Sequence, residues 1–73
     1  MKSAKNIQLT SYQKLNLNKI TNDFNRRLNS SPTSVEVIKG IASKYVVCEG
    51  YGTRIVYSVT SHLNIKSSKV YKI

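Results

Sequence analysis

The chain has 73 residues, 12 Lys+Arg against 3 Asp+Glu, a formal net charge of +9 and a single cysteine, Cys48. That length gives one domain, and a domain this small buries only about 60% of its unfolded surface. One cysteine excludes an intramolecular disulfide, and Cys48 with the single histidine, His62, cannot supply the four ligands of a structural zinc site.

Residues 1–8 read as loosely held, with "NIQL" as a candidate short edge strand. The start "MKSAKNIQLT" has no apolar run long enough for a signal peptide, and no stretch approaches a membrane span, so a cytoplasmic placement is expected. Residues 10–29 predict a helix. Thr10 with Gln13 fits a capping box, in which each side chain satisfies an orphan amide of the first turn. Leu17, Ile20, Phe24 and Leu28 recur at helical spacing as one apolar stripe, with Asn18, Asn22, Asn25 and Asn29 opposite. Tyr12 and Leu15 lie off that stripe, which implies either a later helix start or a second apolar flank meeting another surface.

"NSSPT" ends the helix, because Pro32 disfavours helical geometry at Ser31. The next piece, "TSVEVIKGIASK", has two readings. Val35-Glu36-Val37-Ile38 is β-branched and partly alternating, which favours a strand ending at Lys39-Gly40. Thr33 with Glu36 is also a capping box, and Val35, Ile38, Ile41, Ala42 and Tyr45 fit helical spacing. The strand gives an α+β fold, an N-terminal helix packed on a small antiparallel sheet of three to four strands. The helix gives the outline of a winged helix. The strand is preferred, since Gly40 inside a helix costs about 1 kcal/mol relative to Ala.

Tyr45–Glu49 and Thr53–Thr60 predict a hairpin. Gly50-Tyr51 suits a type II′ turn, whereas Tyr51-Gly52 as type I′ would require positive φ at Tyr51. Either turn puts Val46, Cys48, Ile55, Tyr57 and Val59 on one face, to meet the helix stripe. Tyr45, Val47, Glu49, Arg54, Val56 and Ser58 share the other. Tyr57 belongs to the first face, with its hydroxyl reaching water or a backbone group. Ser61–Ser68 reads as a polar loop holding an exposed His62, and Lys69–Ile73 as a last short strand whose lysines blunt an edge.

Catalysis is not expected. Asp23, Glu36 and Glu49 are the only acids and none stands at a telling spacing. Cys48 lies on an apolar face without a neighbouring base, which makes it an inert buried thiol. "GYG" is too short for a phosphate loop and lies in a hairpin. No cofactor or metal is implied.

The charge points instead to a polyanion. Residues 1–30 carry six bases against Asp23, and Lys66, Lys69 and Lys72 follow the hairpin with no acid among them. Self-repulsion at this level is relieved by an anionic partner, of which nucleic acid is the commonest. Three sets of residues are candidates. Lys19, Arg26 and Arg27 give the helix a positive flank, although the helix dipole alone favours the two arginines. Lys44, Tyr45 and Arg54 could stack a base and hold phosphate, against a cross-strand pairing of Arg54 with Glu49. Lys66, Lys69, Tyr71 and Lys72 form a basic end with an aromatic ring. The resulting expectation is non-catalytic binding to the phosphate backbone, of RNA or single strands rather than duplex DNA. The alternatives are a small interaction protein, of the kind viruses and mobile elements use as inhibitors, docking on an acidic protein surface, and a winged-helix DNA binder. With no internal staple, homodimerisation is a further expected source of stability.

Overall fold

The structure is a computed structural model that describes residues 9–73, so the expectations for residues 1–8 lie outside the described residues. Helix α1 spans Ser11–Leu28. Its capping box forms: the Gln13 amide donates to Thr10 Oγ1 at 3.1 Å, and the Thr10 amide donates to Gln13 Oε1 at 3.0 Å. Asn29 closes the helix in the left-handed region at φ 59°, which Asn tolerates better than most side chains.

Four strands follow: β1 (Ser34–Lys39), β2 (Lys44–Gly50), β3 (Thr53–Val59) and β4 (Ile65–Lys72). They pair as an antiparallel meander in the order β1-β2-β3-β4. The fold is therefore α+β, a helix packed on one face of a four-stranded open sheet. The winged-helix alternative fails at residues 34–39, which are strand β1. Two contacts decide this. Val35 and Val37 alternate inward and pack against the core. Thr33, which a helix would have used as its cap, donates both its amide (2.8 Å) and its hydroxyl (3.0 Å) to the Glu49 carbonyl of β2.

The core lies between α1 and the sheet. Ile20 and Phe24 of the helix stripe are fully buried against Val46, Cys48, Ile55 and Tyr57, with Leu17 and Leu28 packed at the margins. Each fully buried side chain of this size contributes on the order of 1.5–3 kcal/mol. The predicted faces of the hairpin hold in the observed register, in which Val46 pairs with Tyr57 and Cys48 with Ile55.

The hairpin takes the less favoured of its two predicted turns. Tyr51 and Gly52 are its central pair, with φ of 55° and 73°. Both positive values match a type I′ turn, whose twist suits the flanking strands. Gly50 is instead a strand residue paired with Thr53. A Cβ there would lie 3.1 Å from the Thr33 amide nitrogen, 3.4 Å from Pro32 Cα and 3.5 Å from Phe24. Gly50 thus serves the close passage of the Pro32-Thr33 backbone over β2, and Tyr51 bears the backbone strain.

The end of the chain also differs. β4 begins at Ile65, so residues predicted as the polar loop Ser61–Ser68 divide between a short turn and the first half of a strand. Only a ladder with β3 is needed to hold an edge strand, and Ser67 and Ser68 supply it opposite Ser58 and Tyr57. The turn is knotted by Thr60, whose Oγ1 accepts from the amides of His62 (3.3 Å) and Asn64 (3.1 Å). That arrangement holds Leu63 at φ 68° and drives its side chain into the core, 1% exposed. Leu63 is a core residue that no periodicity announces.

One polar group is built into the core margin. Asp23 is nearly buried and accepts from the Tyr57 hydroxyl at 2.8 Å. It also pairs with Arg26 and, at 3.0 Å, with Arg27. The Tyr57 hydroxyl therefore reaches a carboxylate rather than water or backbone. Burial pushes the Tyr57 phenol up, and the hydrogen bond to Asp23 adds to the rise. Burial likewise raises the Cys48 thiol to about 11, with the Asp23 charge contributing less.

Four outcomes are expected from this architecture. Tyr51→Asn should stabilise by about 1 kcal/mol by relieving the left-handed strain. Gly50→Ala should destabilise by about 1–2 kcal/mol by overpacking against a hydrogen-bonded backbone. Chemical denaturation of the two variants checks both signs. Asp23→Ala strands the fully buried Tyr57 hydroxyl and should cost about 1–3 kcal/mol in the same assay. As pH rises past the unfolded thiol and phenol values of roughly 8.5–10, the unfolded chain releases protons that the folded chain retains. Stability should therefore fall as pH rises from about 8 toward 11. A Cys48→Ala chain should show a smaller fall between pH 8 and 10 than the parent, measured by denaturant midpoint.

Candidate nucleic-acid interface

The ten candidate residues do not form one surface. Lys19, Arg26 and Arg27 are exposed on α1. Both arginines are held by Asp23, and Arg27 also donates to Ser68 Oγ at 3.3 Å. They tie the helix to Tyr57 and β4, so they have a structural task besides the helix dipole.

Tyr45, Arg54, Lys69 and Tyr71 lie on the sheet face opposite α1. The register sets them in rows: Glu49–Arg54–Tyr71 across β2, β3 and β4, and Val47–Val56–Lys69 beside it. Arg54 donates to Glu49 across the hairpin at 2.5 Å, which is the cross-strand pairing weighed against phosphate binding. Tyr45 is half-buried and accepts a hydrogen bond from Ser43 Oγ at 3.1 Å, so its ring is anchored at the edge of this face. Tyr71 is 48% exposed. Lys72 pairs with Thr53 at the hairpin end of the sheet, away from the others.

Lys44 and Lys66 come together at the opposite end, where the β1–β2 and β3–β4 turns meet. They line a concavity of about 270 Å³ with a third lysine, Lys39, and with the hydroxyl-bearing Ser43, Thr60 and Ser61. No acidic residue lines it. Lys39 and Lys44 face each other directly in the β1–β2 register. Two like charges opposite one another destabilise a sheet, so the pair is tolerated at a cost.

The walls of this concavity are positioned by neighbours. The Gly40 amide donates to the Ser43 carbonyl at 2.7 Å and closes the β1–β2 turn. The first half of α1 fixes the other turn. Gln13 Nε2 donates to the Ser61 carbonyl at 2.9 Å, and the buried Asn16 donates to the His62 carbonyl at 2.8 Å. Tyr12 stacks edge-on against His62, 5.7 Å between ring centres, and accepts from Asn64. Lys44 Nζ reaches the same Ser61 carbonyl at 3.4 Å. Thus Tyr12, off the apolar stripe, meets the β3–β4 turn rather than the sheet, while Leu15 stays 52% exposed.

Lys39 was not among the sequence candidates. The signal for it was present: a strand ending at Lys39 and another starting near Tyr45, joined by a short turn, place Lys39 beside Lys44. Lys66 could not be placed there, because the strand containing it was read as loop.

The arrangement can hold an anion. Three lysines line it, and the absence of a carboxylate in the lining leaves their positive field uncompensated. Among the described residues, the three ion pairs engage Arg26, Arg27 and Arg54 only, so no described lysine has an acidic partner. No group of three His, Cys, Asp or Glu side chains that could hold a metal occurs among the described residues. No described helix is long and apolar enough to cross a membrane. Compared with known proteins, the chain matches no family model, no curated protein and no solved structure.

Proposed function

We propose that the protein is a non-catalytic nucleic-acid-binding protein that grips the phosphate backbone at the lysine end of its sheet. The observation that carries this reading is the concavity lined by Lys39, Lys44 and Lys66 without an acid. The global excess of nine positive charges supports it by steering a polyanion toward any such site. A cytoplasmic location fits this reading.

RNA or single-stranded nucleic acid is the favoured ligand. The site is built from two turns and the ends of strands, which suits phosphate contacts more than insertion of a helix into a duplex groove. Lys19 on α1 and Lys69 and Lys72 on β4 add charge elsewhere and would strengthen encounter rather than define the site. Tyr45 and Arg54 have a smaller part than their residue types suggest, since each has an internal partner.

The test is a salt titration of binding to random-sequence RNA, single-stranded DNA and duplex DNA. Each phosphate contact on a single strand contributes about 0.7 to the slope of log K against log salt. The triple variant Lys39→Ala, Lys44→Ala, Lys66→Ala should therefore lose about 2 from that slope and bind at least tenfold more weakly at low salt. An unchanged slope, or no binding by the parent chain at low salt, refutes the proposal. Retention of one acidic protein in a nuclease-treated pull-down, without affinity for nucleic acid, would replace it with the reading of an interaction protein or inhibitor.

A further inference from the structure

The sheet face that α1 leaves bare differs in character from the rest of the chain. It is formed by Glu36 and Ile38 of β1, Tyr45, Val47 and Glu49 of β2, and Arg54 and Val56 of β3, around a shallow depression of about 370 Å³. Lys69 and Tyr71 extend it on β4. Its acids, Glu36 and Glu49, balance its bases, Arg54 and Lys69. The face is therefore neutral on a chain of net charge +9. Val47 and Val56 lie side by side at its centre. On a strongly basic chain, a neutral face is one that a second copy would not repel.

We infer that this face pairs with the same face of a second copy, about a two-fold axis parallel to the strands and running between β2 and β3. The register gives the reason. The central row reads Glu36–Val47–Val56–Lys69 across β1, β2, β3 and β4. A two-fold along the strands exchanges β1 with β4 and β2 with β3 while keeping every residue in its row. Glu36 then meets the partner's Lys69, Val47 meets the partner's Val56, and Glu49 meets the partner's Arg54. Every charge on the face finds its opposite, and the apolar centre is covered on both sides. This is the self-complementarity that an isologous interface requires.

The other in-plane axis, running across the strands, fails the same comparison. It would set Glu36 against the partner's Glu36 and Lys69 against the partner's Lys69. It would also lay the Glu49–Arg54 row over the row of Ile38, Tyr45 and Ser58. Face-to-face sheets pack about 10 Å apart with strands roughly aligned, a gap that Glu and Lys side chains span together.

The size of the face bounds the affinity. Four strands spaced at about 4.8 Å, six residues long, give a footprint of roughly 400 Å². A standard stable interface uses about 800 Å² per partner. The dimer is accordingly a weak one, with a dissociation constant in the micromolar range or above. Its axis also carries both lysine concavities to the same end of the assembly, although pairing of the sheets does not depend on nucleic-acid binding.

The experiment is sedimentation equilibrium of the full chain from micromolar to millimolar concentration, without nucleic acid, on four samples. The parent should dimerise. Glu36→Lys and Lys69→Glu each turn two attractive contacts into repulsive ones and should each weaken the dimer roughly tenfold or more. The double variant Glu36→Lys/Lys69→Glu should recover it, as should an equimolar mixture of the two single variants, whose heterodimer has every pair matched. Both residues are exposed, and circular dichroism verifies that the fold is kept. On dilution of the parent, amide shifts should change at Val47 and Val56. A chain monomeric at millimolar concentration overturns the inference. So do equal dissociation constants for the parent and the single variants, failure of the double variant to recover, or dilution shifts confined to α1.

Discussion

One helix cannot cover both faces of a four-stranded sheet, and this constraint governs the rest of the molecule. The described residues hold a single amphipathic helix, so among them only one face of the sheet receives an apolar cover. Val46, Cys48, Ile55 and Tyr57 become the core because they point toward Ile20 and Phe24. Their alternate neighbours, Tyr45, Val47, Arg54 and Val56, are left facing out by the two-residue period of a strand.

The helix is held to the sheet by more than apolar contact. Asp23 sits one turn beyond Ile20, next to Phe24, and receives the Tyr57 hydroxyl at the core margin. An unpaired carboxylate there would be costly, and Arg26 and Arg27 neutralise it. This explains why two of the most prominent bases in the sequence are poor candidates for ligand contact. At the other end of α1, Gln13 and Asn16 bind the carbonyls of residues 61 and 62. The helix thus sets the position of the turn that forms one wall of the lysine concavity, linking the packing of the core to the geometry of the proposed site.

Much of the fold could be read from local pattern. The capping box at Thr10 and Gln13, the stripe from Leu17 to Leu28 and the alternation through Tyr45–Val59 each depend on a period or a spacing within one element. The readings that failed depend on contacts between elements. The turn at Tyr51-Gly52 looked unfavourable because Tyr dislikes positive φ, but Gly50 was required by the backbone of Pro32 and Thr33, which is distant in sequence. The first half of β4, residues 65–68, looked like a loop because Ser67 and Ser68 have no strand-like side chains, yet a ladder on β3 is indifferent to that. Leu63 looked like a loop residue until the turn around Thr60 aimed it inward. Of the candidate site residues, residue type alone nominated Arg26, Arg27 and Arg54, and internal acids claimed all three. Lys39 was overlooked because it meets Lys44 only across the β1–β2 ladder.

The sequence by itself determined the class of the protein: a single basic α+β domain with one apolar helix stripe, one apolar hairpin face and too few acids to balance its lysines. These are properties of composition and of short-range period, which survive any arrangement of the elements. Only the tertiary structure decided which charges remain without an acidic partner and where they gather. That depends on register and on the path of the turns, which bring Lys39, Lys44 and Lys66 to one concavity and set Glu36, Val47, Val56 and Lys69 in a single row. Neither grouping can be written as a spacing along the chain, because each is assembled by hydrogen bonds between strands.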